Sequence, residues 1–193
     1  YQLFEETVRK DIAFGPRNMG LSETEIDERV KEAAELVELD ESFLSASPFD
    51  LSGGQKRRAA IAGVMAMRPE VLVLDEPAAG LDPRGRDTIL HAVRRYGQKS
   101  GATVIIVSHS MEDMAIYCDD IVVMSQAKVF LSGSRDEVFS HASELASVGL
   151  DVPQITRLAL LLQEKGVALP NGIYTVPAAL SALLPLFSEK ETL

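Results

Sequence analysis

The sequence has few of the residues on which several protein classes depend. Cys118 is its single cysteine, which excludes an internal disulfide framework and a cysteine cluster for zinc. No apolar run reaches the roughly 20 residues that a membrane-spanning helix needs. Only 19 Lys and Arg stand against 29 Asp and Glu, a net charge of −10 that argues against a general nucleic-acid binder. The composition therefore favours a globular protein of a reducing compartment, with 46% hydrophobic residues to build a core.

The most informative segment is Ser52-Gly53-Gly54-Gln55. Ser52 and Gln55 have the spacing of a capping box, and the periodic apolar residues 59–67 behind them predict a buried helix. A well-capped core helix is the simpler interpretation, yet each glycine in the first turn costs roughly 1 kcal/mol against alanine. A helix start offers unpaired N–H groups and a positive dipole end, and glycines let an anion such as phosphate approach. The segment thus favours a phosphate-facing helix start.

A second segment carries two acids at the end of an apolar run. Residues 71–74 lie between Pro69 and Pro77 and predict a parallel strand, buried on both faces and central in a sheet. Ligands of open α/β sheets bind beyond the carboxyl ends of the strands, where Asp75 and Glu76 fall. Because neighbouring strand residues point opposite ways, one acid can hold magnesium and the other can orient the attacking water. Taken alone, two acids ending a strand at the surface are common.

Together these residues resemble the ATP-binding-cassette (ABC) ATPases. Residues 51–55 resemble the family's signature motif, Asp75 its Walker B aspartate and Glu76 its catalytic base. Residues 80–82 resemble the D-loop, and His109 resembles the switch histidine. The resemblance implies ATP and Mg²⁺ as cofactors, catalytic roles for Glu76 and His109, and magnesium binding by Asp75 and Gln2. It implies nucleotide contacts by Gln2, Ser52, Gly53, Gly54, Gln55 and Asp82.

One expected motif is missing. A Walker A loop reads Gly-x-x-x-x-Gly-Lys-Ser/Thr, and the sequence contains no such segment. The sequence opens on Tyr1-Gln2 without methionine, so we interpret it as a fragment that begins at the Q-loop of a longer ATPase. We expect the parent to hydrolyse ATP and the 193-residue chain alone to give no measurable turnover. In the family the signature motif acts on the nucleotide of the opposite subunit, so this chain could still complete a partner's site.

The first 21 residues resemble a subgroup of the family. Residues 1–4, 11–16 and 18–21 are similar to the Q-loop and following helix of the energy-coupling-factor ATPases, which drive vitamin and metal-ion uptake. The resemblance implies a second ATPase subunit, identical or paralogous, an integral membrane coupling subunit and a separate substrate-binding membrane subunit. It implies a peripheral position on the cytoplasmic face of the membrane and no nucleic-acid partner. Without it, Phe14-Gly15-Pro16 is only a helix-terminating turn.

The predicted fold class is α/β: a truncated P-loop NTPase core with a helical subdomain and a small helical C-terminal domain. We assign residues 1–68 to the Q-loop, helical subdomain and signature helix, 69–149 to the rest of the nucleotide-binding core, and 150–193 to the C-terminal domain. Ser22 is the predicted N-cap of an amphipathic helix, and the apolar stripe of that helix is predicted to lie in the core. Further predicted elements are a helix over 83–99, a strand over 103–108, a helix over 111–117, a hairpin of 121–124 with 129–131 across 125–128, and a helix over 135–139.

Three points stay open in the sequence. The leucine stripe Leu158, Leu161 and Leu162 fits either a contact between ATPase subunits or a helical hairpin packed on its own domain. Residues 56–58 are three consecutive cations, which we interpret as a solvated basic stripe. The function alternatives are a non-hydrolytic fragment that binds a complete ATPase, and an ABC ATPase that acts outside transport.

Without its opening strands, the chain is also expected to expose a sheet edge and to aggregate or exchange strands.

Overall fold

A computed structural model describes residues 3–188, which divide into two compact units between residues 107 and 108. The described part of the first unit contains α1 (Val8–Asn18), α2 (Glu23–Leu36), α3 (Gly53–Met65), β1 (Val71–Asp75), α4 (Pro83–Ser100) and β2 (Thr103–Val107), with short 3₁₀ helices at Glu41–Ser45 and Pro48–Asp50. The described part of the second contains α5 (Met111–Tyr117), β3 (Asp120–Ser125), β4 (Lys128–Ser134), α6 (Arg135–Ser140), α7 (Ala142–Ser147), α8 (Gln154–Glu164) and α9 (Val176–Ser188).

The core of the first unit lies among α1, α2, α3 and α4. Ser22 caps α2 through the predicted capping box: its Oγ accepts from Glu25 N at 3.4 Å, and Glu25 Oε2 accepts from Ser22 N at 3.1 Å. The predicted core stripe of this helix is confirmed, since each member is at most 3% exposed: Ile26, Val30, Ala33, Ala34 and Val37. Helical periodicity therefore predicted the buried face correctly.

Residues 14–16, which without the family resemblance are interpreted as a helix-terminating turn, lie inside α1, which continues through Pro16 to Asn18. Proline removes one backbone donor, but packing on α2 and α3 outweighs that loss, since this helix buries Val8, Ile12, Ala13 and Pro16. Gly15 serves close approach instead of termination: a Cβ there would lie 2.5 Å from Met67 Cγ. Gly20, in the left-handed region at φ 75°, follows the helix.

The two strands of the first unit pair in parallel, with Val71 opposite Thr103 and Asp75 opposite Val107. Leu72, 1% exposed, points into the core on the side where α4 packs against β2. The prediction that β1 is central and buried on both faces is wrong for the described residues. There β1 has one partner strand, and the opposite face of the sheet exposes 46–60% of Val71, Val73, Ile105 and Val107.

The second unit is built around the antiparallel hairpin of β3 and β4, against which α6 packs. The predicted hairpin is confirmed, but its connection is shorter than predicted because Ser125 and Lys128 are themselves paired. Gln126 and Ala127 form the turn with φ 49° and 58°. α6 begins as predicted after Ser134, whose Oγ accepts from Glu137 N at 3.3 Å.

The C-terminal helices α8 and α9 pack around a small core of Ala159, Ile173 and Ala179. Gly166 lies just beyond the end of α8, at φ 86°. Leu158 and Leu161 of the leucine stripe are 46% and 48% exposed. Among the described residues, no helix is long and apolar enough to cross a membrane. The alternation of helices and strands confirms the α/β class, while the division into three domains stays a prediction.

Candidate nucleotide site

The signature segment forms the first turn of α3, as its capping box predicts. Ser52 is the N-cap, its Oγ accepts from Gln55 N at 3.3 Å, and Gln55 Oε1 accepts from Ser52 N at 2.8 Å. The first helical bond runs from Lys56 N to Ser52 O, at 2.8 Å. The N–H groups of Gly53 and Gly54 precede it, and a Cβ added to Gly53 would meet nothing within 4 Å. This start of α3 therefore offers accessible amides and a positive dipole end to an anion.

The two acids lie at the carboxyl end of β1, where Asp75 is exposed and Glu76 half-buried. Glu76 N donates to Val107 O of the neighbouring strand at 2.9 Å, which extends the pairing of the sheet by one residue. Glu76 itself is left-handed, with φ 45°. Such a conformation is uncommon for a residue with a side chain, and outliers of this kind concentrate at functional sites.

The loop that follows β1 packs beside the start of α3. Gly80 takes φ 73°, which favours glycine, and Asp82 caps α4 by accepting from Gly85 N at 2.7 Å. A Cβ placed on Gly54 would lie 3.8 Å from Leu81 Cδ2. The D-loop-like segment and the signature-like segment are therefore neighbours within one unit.

Three consecutive cations follow the signature segment, and the prediction that they form a solvated stripe is wrong. Each donates to a backbone carbonyl: Lys56 Nζ to Phe49 O at 3.3 Å, Arg57 Nη2 to Glu76 O at 3.0 Å, and Arg58 Nη1 to Glu38 O at 2.9 Å. Consecutive residues of a helix do not share a face, so these side chains reach three different segments. The sequence therefore indicates that the three side chains point in different directions, but it does not identify the carbonyls they contact.

The two remaining predicted site residues, His109 and Gln2, are not among the described residues of the first unit. His109 belongs to the second unit, where it is exposed and precedes α5 by two residues. Ser110 caps that helix by accepting from Asp113 N at 3.3 Å. Gln2 lies outside the described residues. The first unit thus brings together the signature segment, the D-loop-like segment and the two acids.

The donor set of the described residues is compatible with magnesium held through a nucleotide. Among residues 3–188, no three His, Cys, Asp or Glu side chains are grouped closely enough to hold a metal ion by themselves. Mg²⁺ commonly takes one or two carboxylates and fills its other positions with phosphate oxygens and water. The exposed carboxylate of Asp75, at the strand end, suits that mode of binding.

Comparisons with known proteins identify the family to which the chain belongs. Residues 2–79 match the family model described as ABC transporter. An energy-coupling factor transporter ATP-binding protein, EcfA2 of Clostridium tetani, is 52% identical over 193 residues, which is 100% of this chain and 67% of that protein. The chain belongs to the ATP-binding proteins of energy-coupling factor transporters. The predicted family is therefore confirmed.

Solved structures of ABC proteins share the fold of this energy-coupling factor ATP-binding chain. The structure described as cbiO1 from Clostridium perfringens, part of the ABC transporter complex cbiONQ, is 39% identical with a TM-score of 0.67, covering 84% of this chain and 63% of that one. The ATP-binding cassette MJ0796, dimeric and bound to ADP and Pi after hydrolysis, is 26% identical with a TM-score of 0.59, covering 67% of this chain and 56% of that one.

The energy-coupling factor ATP-binding chain spans about two thirds of the length of the curated relatives it matches, 65% of one and 67% of another. The shared family nevertheless extends across the whole chain, because one relative aligns with all 193 residues. The alignment therefore includes the C-terminal helices as well as the nucleotide-site segments.

Proposed function

We propose that this chain is part of an ATP-hydrolysing subunit of an energy-coupling factor importer, which uses ATP turnover to drive uptake of a vitamin or metal ion. The observation that carries the proposal is the end of β1, where Asp75 and Glu76 follow a paired strand beside the glycine-rich start of α3. The family assignment and the solved cassette bound to ADP and Pi support it.

The two acids have different roles in the proposed reaction. Asp75 would hold Mg²⁺, which when bound supplies positive charge to the phosphates and organises their geometry. Glu76 would accept the proton of the attacking water, a role that requires a carboxylate within hydrogen-bond reach of that water. His109 and Gln2 would contact the terminal phosphate and its surroundings, as the family resemblance implies.

The start of α3 would serve a second nucleotide. Ser52, Gly53 and Gly54 are exposed or half-buried at the helix start, so a phosphate held by another subunit can reach their amides. Gln55 and the D-loop-like residue Asp82 would complete this contact. The arrangement supports a pair of ATPase subunits in which each contributes a signature segment to the other's nucleotide.

The remaining partners follow from the family. The proposed complex contains an identical or paralogous ATPase subunit, an integral membrane coupling subunit and a separate membrane subunit that binds the transported substrate. The ATPase would lie peripherally on the cytoplasmic face of the membrane. Two exposed aromatic side chains lie in α1 and just before it: Phe14 and Phe4, whose ring centroids are 4.9 Å apart in an edge-to-face arrangement. Exposed aromatic surface of this kind suits contact with a partner subunit.

Glu76→Gln tests the reaction in the intact ATPase assembled with its partner subunit. We expect ATP turnover to fall by about 100-fold or more, because glutamine keeps the side-chain shape but cannot accept the proton. Binding of ATP, measured by equilibrium titration with a fluorescent nucleotide, should change little. Turnover is measured as phosphate release at saturating MgATP.

The matched control is Glu70→Gln. Glu70 is exposed and directly precedes β1, so the same substitution occurs at the opposite end of the same strand. We expect its turnover to equal that of the unsubstituted protein. Equal turnover in the Glu76 and Glu70 variants would contradict the proposed role of Glu76.

A further inference from the structure

Glu76 is held in a strained backbone conformation at the point where chemistry is proposed. Its φ of 45° lies in the left-handed region, which is sterically unfavourable for a residue with a Cβ. The next residue is Pro77, and a following proline normally favours an extended conformation for the residue before it. Surrounding contacts must therefore maintain this conformation.

Three hydrogen bonds fix the backbone of Glu76. Its N–H donates to Val107 O at 2.9 Å, and its carbonyl accepts from Ala79 N at 3.2 Å. The same carbonyl accepts from Arg57 Nη2 at 3.0 Å. The first two bonds come from the sheet and from the following turn, whereas the third comes from a helix 19 residues earlier in the chain.

Arg57 is positioned to make this bond by the helix that carries the signature segment. It lies in the second turn of α3, two residues after Gln55, and its Nε atom is buried. A charged donor in a partly buried site makes a stronger hydrogen bond than a neutral one. Lys56 and Arg58 bind the carbonyls of Phe49 and Glu38, which fixes the helix against two further segments.

We infer that Arg57 is a positioning residue for Glu76, acting through its bond to the backbone carbonyl. Relief of the strained conformation requires rotation about the N–Cα bond of Glu76, which would carry its carbonyl away from Arg57 and break the bond between them. While the bond holds, the backbone of Glu76 keeps its conformation, so the Cα–Cβ bond that carries the carboxylate leaves the strand end in one direction. The inference rests on the proposed function, in which that carboxylate orients the attacking water.

The same contact joins the two halves of the proposed mechanism. The first turn of α3 would bind the nucleotide of the neighbouring subunit, and the second turn, through Arg57, holds the base that acts on this subunit's own nucleotide. A helix is stiff over one turn, so a displacement of its first turn by a neighbouring nucleotide would also move Arg57 and change its contact with Glu76.

Arg57→Met, in the intact ATPase with its partner subunit, tests the inference. We expect kcat to fall about 10- to 100-fold, since small misplacements of a catalytic group have effects of this size. The KM for MgATP should stay within about threefold, because the proposed effect of Arg57 is on the position of the catalytic base and not on nucleotide binding. Arg57→Lys should recover part of the lost turnover, because its ammonium group retains a donor for the same carbonyl.

Arg29→Met is the matched control. Arg29 also donates to backbone carbonyls of the α3 region, Ala66 O at 3.4 Å and Met67 O at 3.3 Å, but at the opposite end of the helix. We expect Arg29→Met to lower the thermal midpoint about as much as Arg57→Met does, with kcat within about twofold of the unsubstituted protein. The inference is overturned if both variants lower kcat equally, or if Arg57→Met changes KM and leaves kcat intact.

The Glu76→Gln measurement separates this inference from the proposed function. If Glu76→Gln abolishes turnover and Arg57→Met does not reduce it, the proposed function stands and the positioning role fails. If Glu76→Gln leaves turnover unchanged, the proposed role of the carboxylate fails first, whatever Arg57→Met does.

Discussion

Arginine side chains join separate segments of the first unit through backbone carbonyls. Arg29 reaches the carbonyls at the end of α3, while Arg58 and Arg95 reach Glu38 O and Leu36 O at the end of α2. The last carbonyls of a helix lack intrahelical partners and carry partial negative charge. Guanidinium groups therefore stabilise these helix ends, in a protein whose overall charge is negative.

A tyrosine joins two segments of the second unit in a comparable way. Tyr174 donates from its hydroxyl to Asp136 Oδ1 at 2.6 Å, and Arg135 lies 4.9 Å from the centre of its ring. The hydrogen bond from Tyr174 holds the pKa of Asp136 below its ordinary value. Burial, with Asp136 nearby, raises the pKa of Tyr174 to about 12.

Tyr174→Phe tests this pair at the residue scale. The substitution keeps the ring and removes the hydroxyl, so we expect the free energy of unfolding to fall by about 1 kcal/mol at pH 7. A lowered carboxyl pKa stabilises the fold above the unfolded value of about 3.9 and ceases to do so as the pH falls through the folded value. The difference between the two proteins, measured by urea unfolding, should therefore shrink as the pH falls below about 3.9.

The alkaline limb gives an independent check of the same pair. Because the folded Tyr174 has a raised pKa, the unsubstituted protein should lose stability between about pH 10 and 12, and the Tyr174→Phe variant should lose less. The carboxyl resonance of Asp136 should titrate at a higher pH in the variant. An unchanged Asp136 titration would show that the hydroxyl does not set its pKa.

At the scale of elements, the hairpin of the second unit closes through an unfavourable pair of turn residues. Gln126 and Ala127 both take positive φ, at 49° and 58°. Two-residue turns of this kind match the twist of the flanking strands and favour Asn-Gly, because glycine carries no steric penalty there. Pairing of β3 with β4 thus imposes a turn conformation that its own residues disfavour.

Ala127→Gly should stabilise the second unit. We expect a gain of about 1 kcal/mol in the free energy of unfolding, because the left-handed conformation costs alanine about that much and glycine little. The measurement is urea unfolding followed by circular dichroism. Ala178→Gly, the same change on an exposed position of α9, should instead cost up to about 1 kcal/mol. Destabilisation by both variants would contradict the turn assignment.

Successful predictions at this scale concern neighbours in the chain. The capping boxes at Ser22 and Ser52 were predicted because each partner lies three residues away, whereas the capping box at Ser134 appears only in the structure. Without the family resemblance, propensity alone predicts a helix end at Gly15-Pro16, whereas packing continues α1 through these residues. Local pattern is informative unless burial of a helix face outweighs it.

At the scale of the whole molecule, the described chain exposes apolar sheet surface. Val71 and Val73 of β1 lie on the same face as Ile105 and Val107 of β2, each about half exposed. Contiguous apolar patches of this kind favour association with other surfaces. This agrees with the expectation that the 193-residue chain aggregates, although the exposed surface is a face of the sheet as well as an edge.

Val73→Lys should reduce self-association of the 193-residue chain. The side chain is 60% exposed, so lysine can reach solvent with little cost in folding while placing charge in the middle of the apolar face. We expect a lower average mass by light scattering across a concentration series. Val64→Lys, on an exposed position of α3 outside the sheet, is the control and should leave the mass unchanged. Equal effects of both variants would point to net charge as the cause.

The sequence by itself determined the family, most of the helices and strands, the capped start of α3 and the two acids after β1, because these depend on motifs and on residues a few positions apart. Only the tertiary structure decided which face of the sheet is covered, that Glu76 is left-handed, and that Arg57 holds its carbonyl. That contact joins residues 19 apart, and it exists because of how α3 packs beside the end of β1. No local pattern specifies such packing.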